Sequence, residues 1–354
     1  MNIWIGYVSC GSGHRRAAEA LGTVLDRDAP LFIFDLLDFT NPFLKGLYQQ
    51  GYAFAVKHLP FFWWFVFFIH SFKPIHKCFD IFHGYILRTF ISAVIKEDPD
   101  LVVSTHFSLS EAISQLREEG RIRSKLITLV TDFDLYPLWV NKHTEYYVVP
   151  SAQIALKLEQ DWGVDKDTIK LWGIPLRRQF FTPPAKKPEG LFTFFLFASE
   201  FGLGPFKEVI KALYRECGMV IVCGRNKRIK RYAESLKGAA SIRTFGTVDE
   251  VAQLMDSVDI VVTKAGGLTV SECIARKKPM VFMTSIPGQE EYNTKFVVDN
   301  GLGLHPCGTQ ELIDTIRRLK NDPGRLAEFK KNFDKLPLHD SALLTKELVL
   351  SLLR

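Results

Sequence analysis

A histidine set directly after two glycines, at the start of a helical pattern, is a candidate for acid–base chemistry. Residues 3–21 read IWIGYVSCGSGHRRAAEAL. A short apolar run gives way to Gly11-Ser12-Gly13, and His14 stands in the first turn of an alanine-rich helix. Glycines between a strand and a helix let the backbone approach a ligand, and the helix start offers unpaired N–H groups and a partial positive charge. Gly13 would meet a phosphate or a headgroup there. The same positive end lowers the pKa of a histidine and keeps its ring neutral. A neutral imidazole at a cleft is a general base. A histidine that merely caps the helix start is the alternative.

The second half holds a longer constellation. Thr263-Lys264-Ala265-Gly266-Gly267-Leu268-Thr269-Val270-Ser271-Glu272 again passes from strand to helix through two glycines. The N–H groups of Gly266, Gly267, Leu268 and Thr269 would hold a diphosphate. Glu272 lies one turn after Leu268, where its carboxylate would accept both hydroxyls of a ribose. The loop Pro287-Gly288-Gln289-Glu290-Glu291-Tyr292-Asn293 adds groups suited to sugar hydroxyls.

Two other chemistries are set aside. A dinucleotide fingerprint needs a third small residue where Arg16 stands, although Asp35 sits where a dehydrogenase keeps its ribose acid. Asp132-Phe133-Asp134 has the form of a metal-binding acidic pair. Two glycine loops can hold a diphosphate without an ion, so no metal is expected, and Asp132 would instead line the acceptor side or orient His14. Arg225, Lys227, Arg228, Lys230 and Arg231 read as a solvated helix face, with a contact to anionic headgroups as the alternative.

Positioning these groups requires strands alternating with helices. Ile3–Val8, Leu31–Phe34, Leu101–Ser104, Leu126–Thr131 and Tyr146–Val149 are β-rich runs, with helical patterns at 15–25, 108–119 and 151–162. Such alternation implies a parallel sheet with helices on both faces. Three prolines and a glycine lie between Phe180 and Gly190. Beyond them the alternation restarts, with strands expected at 192–197, 219–223, 241–245, 259–263 and 279–283. The expected organisation is an N-terminal acceptor- and membrane-binding domain (1–180), a linker (181–190), a donor-binding domain (191–335) and a C-terminal helix (336–354). Two doubly wound, Rossmann-like α/β domains would then leave a cleft between them.

Residues 43–90 interrupt the first alternation. They hold eleven of the 29 phenylalanines, and five basic residues against the single acid Asp80. The run Phe61–Ile69 is apolar on every side and flanked by lysines, which reads as an element lying in a membrane surface. A buried hairpin of helices is the alternative. Nine residues are too few to span a bilayer. The net charge of +6 is too small to argue for nucleic acid. Six cysteines without CxxC spacing read as reduced thiols. With no leader pattern before the first strand, the expected location is the cytoplasmic face of a cell membrane, held peripherally.

SCGSGHRRAAEAL resembles the opening of the monogalactosyldiacylglycerol synthase and processive diacylglycerol glucosyltransferase family. Thr131-Asp132 with Pro137-Leu138-Trp139, Trp172-Gly173-Ile174-Pro175-Leu176-Arg177 and Cys223-Gly224-Arg225-Asn226 also resemble it. So do Thr263–Thr269 and Pro287–Glu291 with Asn293, and these last two are the most specific. The resemblance implies the GT-B fold, a UDP-sugar donor (UDP-glucose or UDP-galactose) in the second domain, a lipid acceptor at the first, and inversion at the anomeric carbon. Carried onto this chain, it implies His14 as the base and Glu272 on the ribose. It puts Gln289, Glu290 and Asn293 near the sugar, the backbone of Phe245 and Val248 at the uracil, and Arg177 beside the leaving UDP. Two departures stand out: the family's glycine-rich turn is replaced by Phe197–Gly204 with a bulky Phe201, and Tyr292 replaces a common glycine. Diacylglycerol is the expected acceptor. A polyprenyl-diphosphate acceptor, or a silent membrane-bound UDP-sugar sensor, are the rival readings.

Overall fold

The computed structural model describes residues 2–9, 11–26, 29–43, 45–47, 50, 51, 54, 59, 87–187, 189–197, 204–284 and 288–354. The centre of the aromatic–basic segment (60–86) and the altered turn at 198–203 lie outside the described residues, as do residues 285–287.

The chain forms two compact units, residues 1–178 with 339–354, and residues 179–338. The first is built on β1 (Ile3–Tyr7), β2 (Leu31–Asp35), β3 (Leu101–Ser104), β4 (Lys125–Leu129), β5 (Tyr146–Val149) and β6 (Ile169–Leu171). All pairs are parallel, in the order β2-β1-β3-β4-β5-β6. Its helices include α1 (Gly13–Leu25), α2 (Arg88–Glu97), α3 (Phe107–Glu118) and α4 (Ala152–Trp162).

Both faces of this sheet are covered, so its strands are apolar throughout rather than alternating. Ile3, Ile5, Leu101 and Val103 pack with Ala18, Leu21 and Leu25 of α1. Trp4 and Val102 face the other way, against Phe90 and Val94 of α2 and Leu109 and Ile113 of α3. Phe90 is therefore core, and the aromatic segment read from the sequence as membrane-facing ends before it. At Gly6 the layers touch: an added Cβ would lie 2.2 Å from Leu109 Cδ2 and 2.6 Å from Phe34 Cζ.

The second unit repeats the plan. β7 (Thr193–Phe197), β8 (Gly218–Val222), β9 (Ser241–Phe245), β10 (Ile260–Lys264), β11 (Met280–Thr284) and β12 (Gly303–Leu304) form a parallel sheet ordered β12-β11-β10-β7-β8-β9. Its helices are α5 (Phe206–Leu213), α6 (Lys227–Glu234), α7 (Val251–Asp256), α8 (Gly267–Ala275), α9 (Gln289–Asp299), α10 (Thr309–Lys320) and α11 (Pro323–Phe333).

Two boundaries differ from the sequence reading. The proline-rich stretch is bound to the second unit rather than hanging as a free linker. Gln179 bonds Asp249 O and Ala252 N, Arg276 donates to Thr182 O (2.7 Å), and Asp256 accepts from Ala185 N (2.9 Å). Lys187 pairs with Asp259 at 2.8 Å. The last helix, α12 (Ser341–Leu352), is part of the first unit. Its Val349 enters the α1 core, and Ser341 Oγ donates to Gly173 O at 2.8 Å. Among the described residues no helix is long and apolar enough to cross a membrane.

Candidate active site

In the first sheet the strand order reverses between β1 and β3, and such a switch point opens a crevice beyond the strands' carboxyl ends. β1, β3 and β4 end in step, Gly6 beside Ser104 and Ser104 beside Thr128. The residues that follow them converge on the start of α1. Gly11 turns the chain at φ +112°, Ser12 is the N-cap without a side-chain bond, and Gly13 opens the helix. The first-turn N–H groups are thus left uncapped by a side chain.

His14 is half-buried there. Its Nδ1 lies 2.7 Å from the carbonyl oxygen of Thr105 and 3.0 Å from Oγ1 of Thr131. A carbonyl only accepts, so Nδ1 carries the proton and Nε2 keeps the bare lone pair. Among the described residues no hydrogen bond engages Nε2. Burial pushes the ring down to about 4, against the opposing hydrogen bond to Thr105. At neutral pH the ring is an uncharged base. Thr105 Oγ1 donates across 3.2 Å to the carbonyls of Gly6 and His14, tying the helix start to β1.

A second histidine adjoins it. His106, buried at the N-cap of α3, accepts at Nδ1 from Ser108 N (3.2 Å). Its ring meets that of His14 edge to face, with centroids 4.8 Å apart. Thr105 and His106 had no place in the sequence reading. Their signal was the apolar run Leu101–Val103 ending in Ser104-Thr105-His106, polar residues just past the end of a parallel strand.

Asp132 is buried, and Thr105 and Thr131 hold Nδ1 of His14. Asp134 accepts from Lys157 (2.6 Å) and Leu135 N (2.8 Å). Asp35 holds the glycine loop instead of facing a ribose: Ser9 and Leu37 N donate to it, and Lys45 lies at 3.3 Å. Arg177 is half-buried, one residue before the first unit gives way to the second.

In the second unit, α8 begins at Gly267 after the extended N-cap Gly266, again with no side-chain cap. Gly266, Gly267 and Thr269 are half-exposed, whereas Leu268 and Glu272 are buried. The first-turn N–H groups therefore form an anion site ready-made by the helix start. Glu290 and Asn293 stand close to this loop, but their side chains brace it. Glu290 pairs with Lys264, and Asn293 Nδ2 donates to Ala265 O at 2.9 Å. Both are buried. The side chain of Gln289 lies outside the description. Phe245 O accepts from Cys223 N (2.8 Å) and closes the sheet, whereas among the described residues Val248 enters no hydrogen bond. Of the two backbone readers expected, Val248 keeps its peptide groups open. Arg225, Lys227, Arg228 and Arg231 are exposed.

Residues 14–176 match the family model described as monogalactosyldiacylglycerol (MGDG) synthase, and residues 205–336 match glycosyl transferases group 1. The chain is 29% identical to the processive diacylglycerol beta-glucosyltransferase of Staphylococcus carnosus, covering 93% of this chain and 87% of that protein. It is 28% identical to monogalactosyldiacylglycerol synthase 1, chloroplastic, of Arabidopsis thaliana, covering 85% of this chain and 61% of the plant protein. Among solved structures, Acinetobacter baumannii MurG aligns with a TM-score of 0.60 at 12% identity over 99% of both chains. The glycosyltransferase of kitacinnamycin aligns at 0.62 and 16% identity, over 100% of this chain and 99% of that one. These two likenesses establish the fold.

Proposed function

We propose that the chain, which is similar to monogalactosyldiacylglycerol synthases and processive diacylglycerol glucosyltransferases, moves a hexose from a UDP-sugar to the free hydroxyl of diacylglycerol, with inversion. The observation that carries this reading is the half-buried His14, whose Nδ1 is held by a carbonyl and whose Nε2 is bare. In a direct displacement the acceptor oxygen attacks the anomeric carbon as its proton passes to Nε2. The bond from that carbon to the β-phosphate oxygen breaks, and UDP leaves as an anion.

The leaving diphosphate suits the uncapped start of α8, where Gly266, Gly267, Leu268 and Thr269 offer N–H groups and a positive dipole end. Lys264, braced by Glu290, adds positive charge. Uracil would be read by the peptide of Val248, and the ribose by Glu272. Binding through N–H groups and dipoles calls for no metal. The acceptor would be drawn from a membrane surface. Phe43, Leu47 and Phe54 are large apolar side chains, 75%, 57% and 57% exposed, of the kind that enters a membrane surface.

The test is transfer of radiolabel from UDP-glucose or UDP-galactose, offered separately, into diacylglycerol in anionic micelles. Label in the organic phase from one donor is the expected result and names the sugar. His14→Ala should lower the rate by about 10²–10⁴-fold while UDP binding stays intact. Full activity in that variant would remove the mechanism. UDP binding without label from either donor would turn the reading toward a polyprenyl acceptor or a silent sensor.

A further inference from the structure

We propose that Thr131 is a positioning residue for the base: its hydroxyl, together with the Thr105 carbonyl, holds the Nδ1–H of His14 and so fixes the bare Nε2 toward the acceptor. This rests on the transferase reading above. Nδ1 has room for one hydrogen, and two oxygens lie within reach of it, Thr105 O at 2.7 Å and Thr131 Oγ1 at 3.0 Å. The tautomer with its proton on Nε2 would turn a lone pair toward the Thr105 carbonyl at 2.7 Å, which is repulsive. With the proton on Nδ1, the hydrogen is shared between two acceptors, and the Thr131 hydroxyl contributes an acceptor lone pair.

The two oxygens come from different strand ends, β3 and β4, and a ring gripped from two directions cannot swing freely about its broad χ2 torsion. A single acceptor would leave that swing open. Thr131 is buried, at 6% exposure, and no other hydrogen bond engages its hydroxyl among the described residues. Both holding groups are neutral. They therefore set tautomer and tilt without the charge of the carboxylate that orients the histidine of a serine-protease triad. The third contact on the ring, the edge of His106, is aromatic and sets no tautomer. Thr131 is thus the side chain through which a change at Nδ1 can be made without touching the main chain.

The test pairs kinetics with nitrogen NMR of the full-length protein carrying ¹⁵N-histidine, with the His14 signals assigned by their loss in His14→Gln. In the parent protein one ring nitrogen should be protonated and the other bare, with slowly exchanging signals. Thr131→Val should move the two signals toward each other and lower kcat about tenfold, with KM for the UDP-sugar unchanged. Thr131→Ser, which keeps the oxygen, should restore both. Unmoved nitrogen signals in Thr131→Val overturn the proposal, whatever happens to kcat, and so does a loss of UDP binding. A parent protein that transfers no sugar, but whose His14 signals still converge in Thr131→Val, would overturn the transferase reading and leave the grip on the ring standing.

Discussion

A histidine serves as a base only when one ring nitrogen is bare and the ring stays neutral at working pH. His14 meets both conditions through burial and through neutral partners at Nδ1. Its pKa in the folded chain, about 4, lies below the 6.5 of a free ring. The unfolded chain therefore takes up the proton first as pH falls. The contribution of this ring to stability is present above pH 6.5 and is lost as pH drops through that window toward 4. The acidic limb of kcat/KM should accordingly lie near pH 4, well below the ordinary histidine value of 6.5. A pH–rate profile with its midpoint at the ordinary value would show that the ring is not shielded in this way.

At the scale of elements, the site depends on how closely α3 approaches β1. Gly6 has no side chain where Leu109 of α3 and Phe34 of β2 crowd in. Gly6→Ala forces the Leu109 and Phe34 side chains out of their packing, and Leu109 lies in the first turn of α3, which begins beside His106. The expected cost is about 1–3 kcal/mol, as for other overpacked cores, measured by the urea midpoint at constant slope. The starts of α1 and α8 are both left without a side-chain cap beside their glycine loops. By contrast, α4 and α6 are capped by Ser151 and Asn226. An uncapped start gives up about 1 kcal/mol of helix stability, and it leaves N–H groups for a ligand.

At the scale of the whole molecule, the buried pair Arg276–Asp256 fastens residues 182–185 to the second unit. The two side chains are 3% and 2% exposed. Asp256→Ala leaves a buried guanidinium uncompensated and should cost about 3–5 kcal/mol. Thermal unfolding should then split, the second unit melting ahead of the first. A single unshifted transition would contradict the fastening. Replacing Phe43, Leu47 and Phe54 together with serine should lower co-sedimentation with anionic vesicles and leave transfer to a detergent-solubilised acceptor unchanged. Equal sedimentation of parent and variant would contradict a membrane contact at these three residues.

Much of this fold is legible locally. Strands covered on both faces must be apolar throughout, so Leu101–Val103 and Ile260–Val262 declare themselves. Gly11 to Gly13, and Gly266 with Gly267, mark strand-to-helix loops because a close backbone approach admits little else. The doubly wound plan of each unit follows from those loops and their order. The short β6 and β12, at three and two residues, carry too little pattern to stand out. Only the tertiary structure decides which oxygens hold His14, because Thr105 and Thr131 are 91 and 117 residues away along the chain. Strand order brings them to the ring, and no local propensity encodes strand order. The same holds for Glu290 and Asn293, drawn into bracing β10, and for α12, whose apolar face finds α1 rather than its neighbours in sequence. The sequence determines which groups are able to do the chemistry, and long-range packing decides which of them are left free to do it.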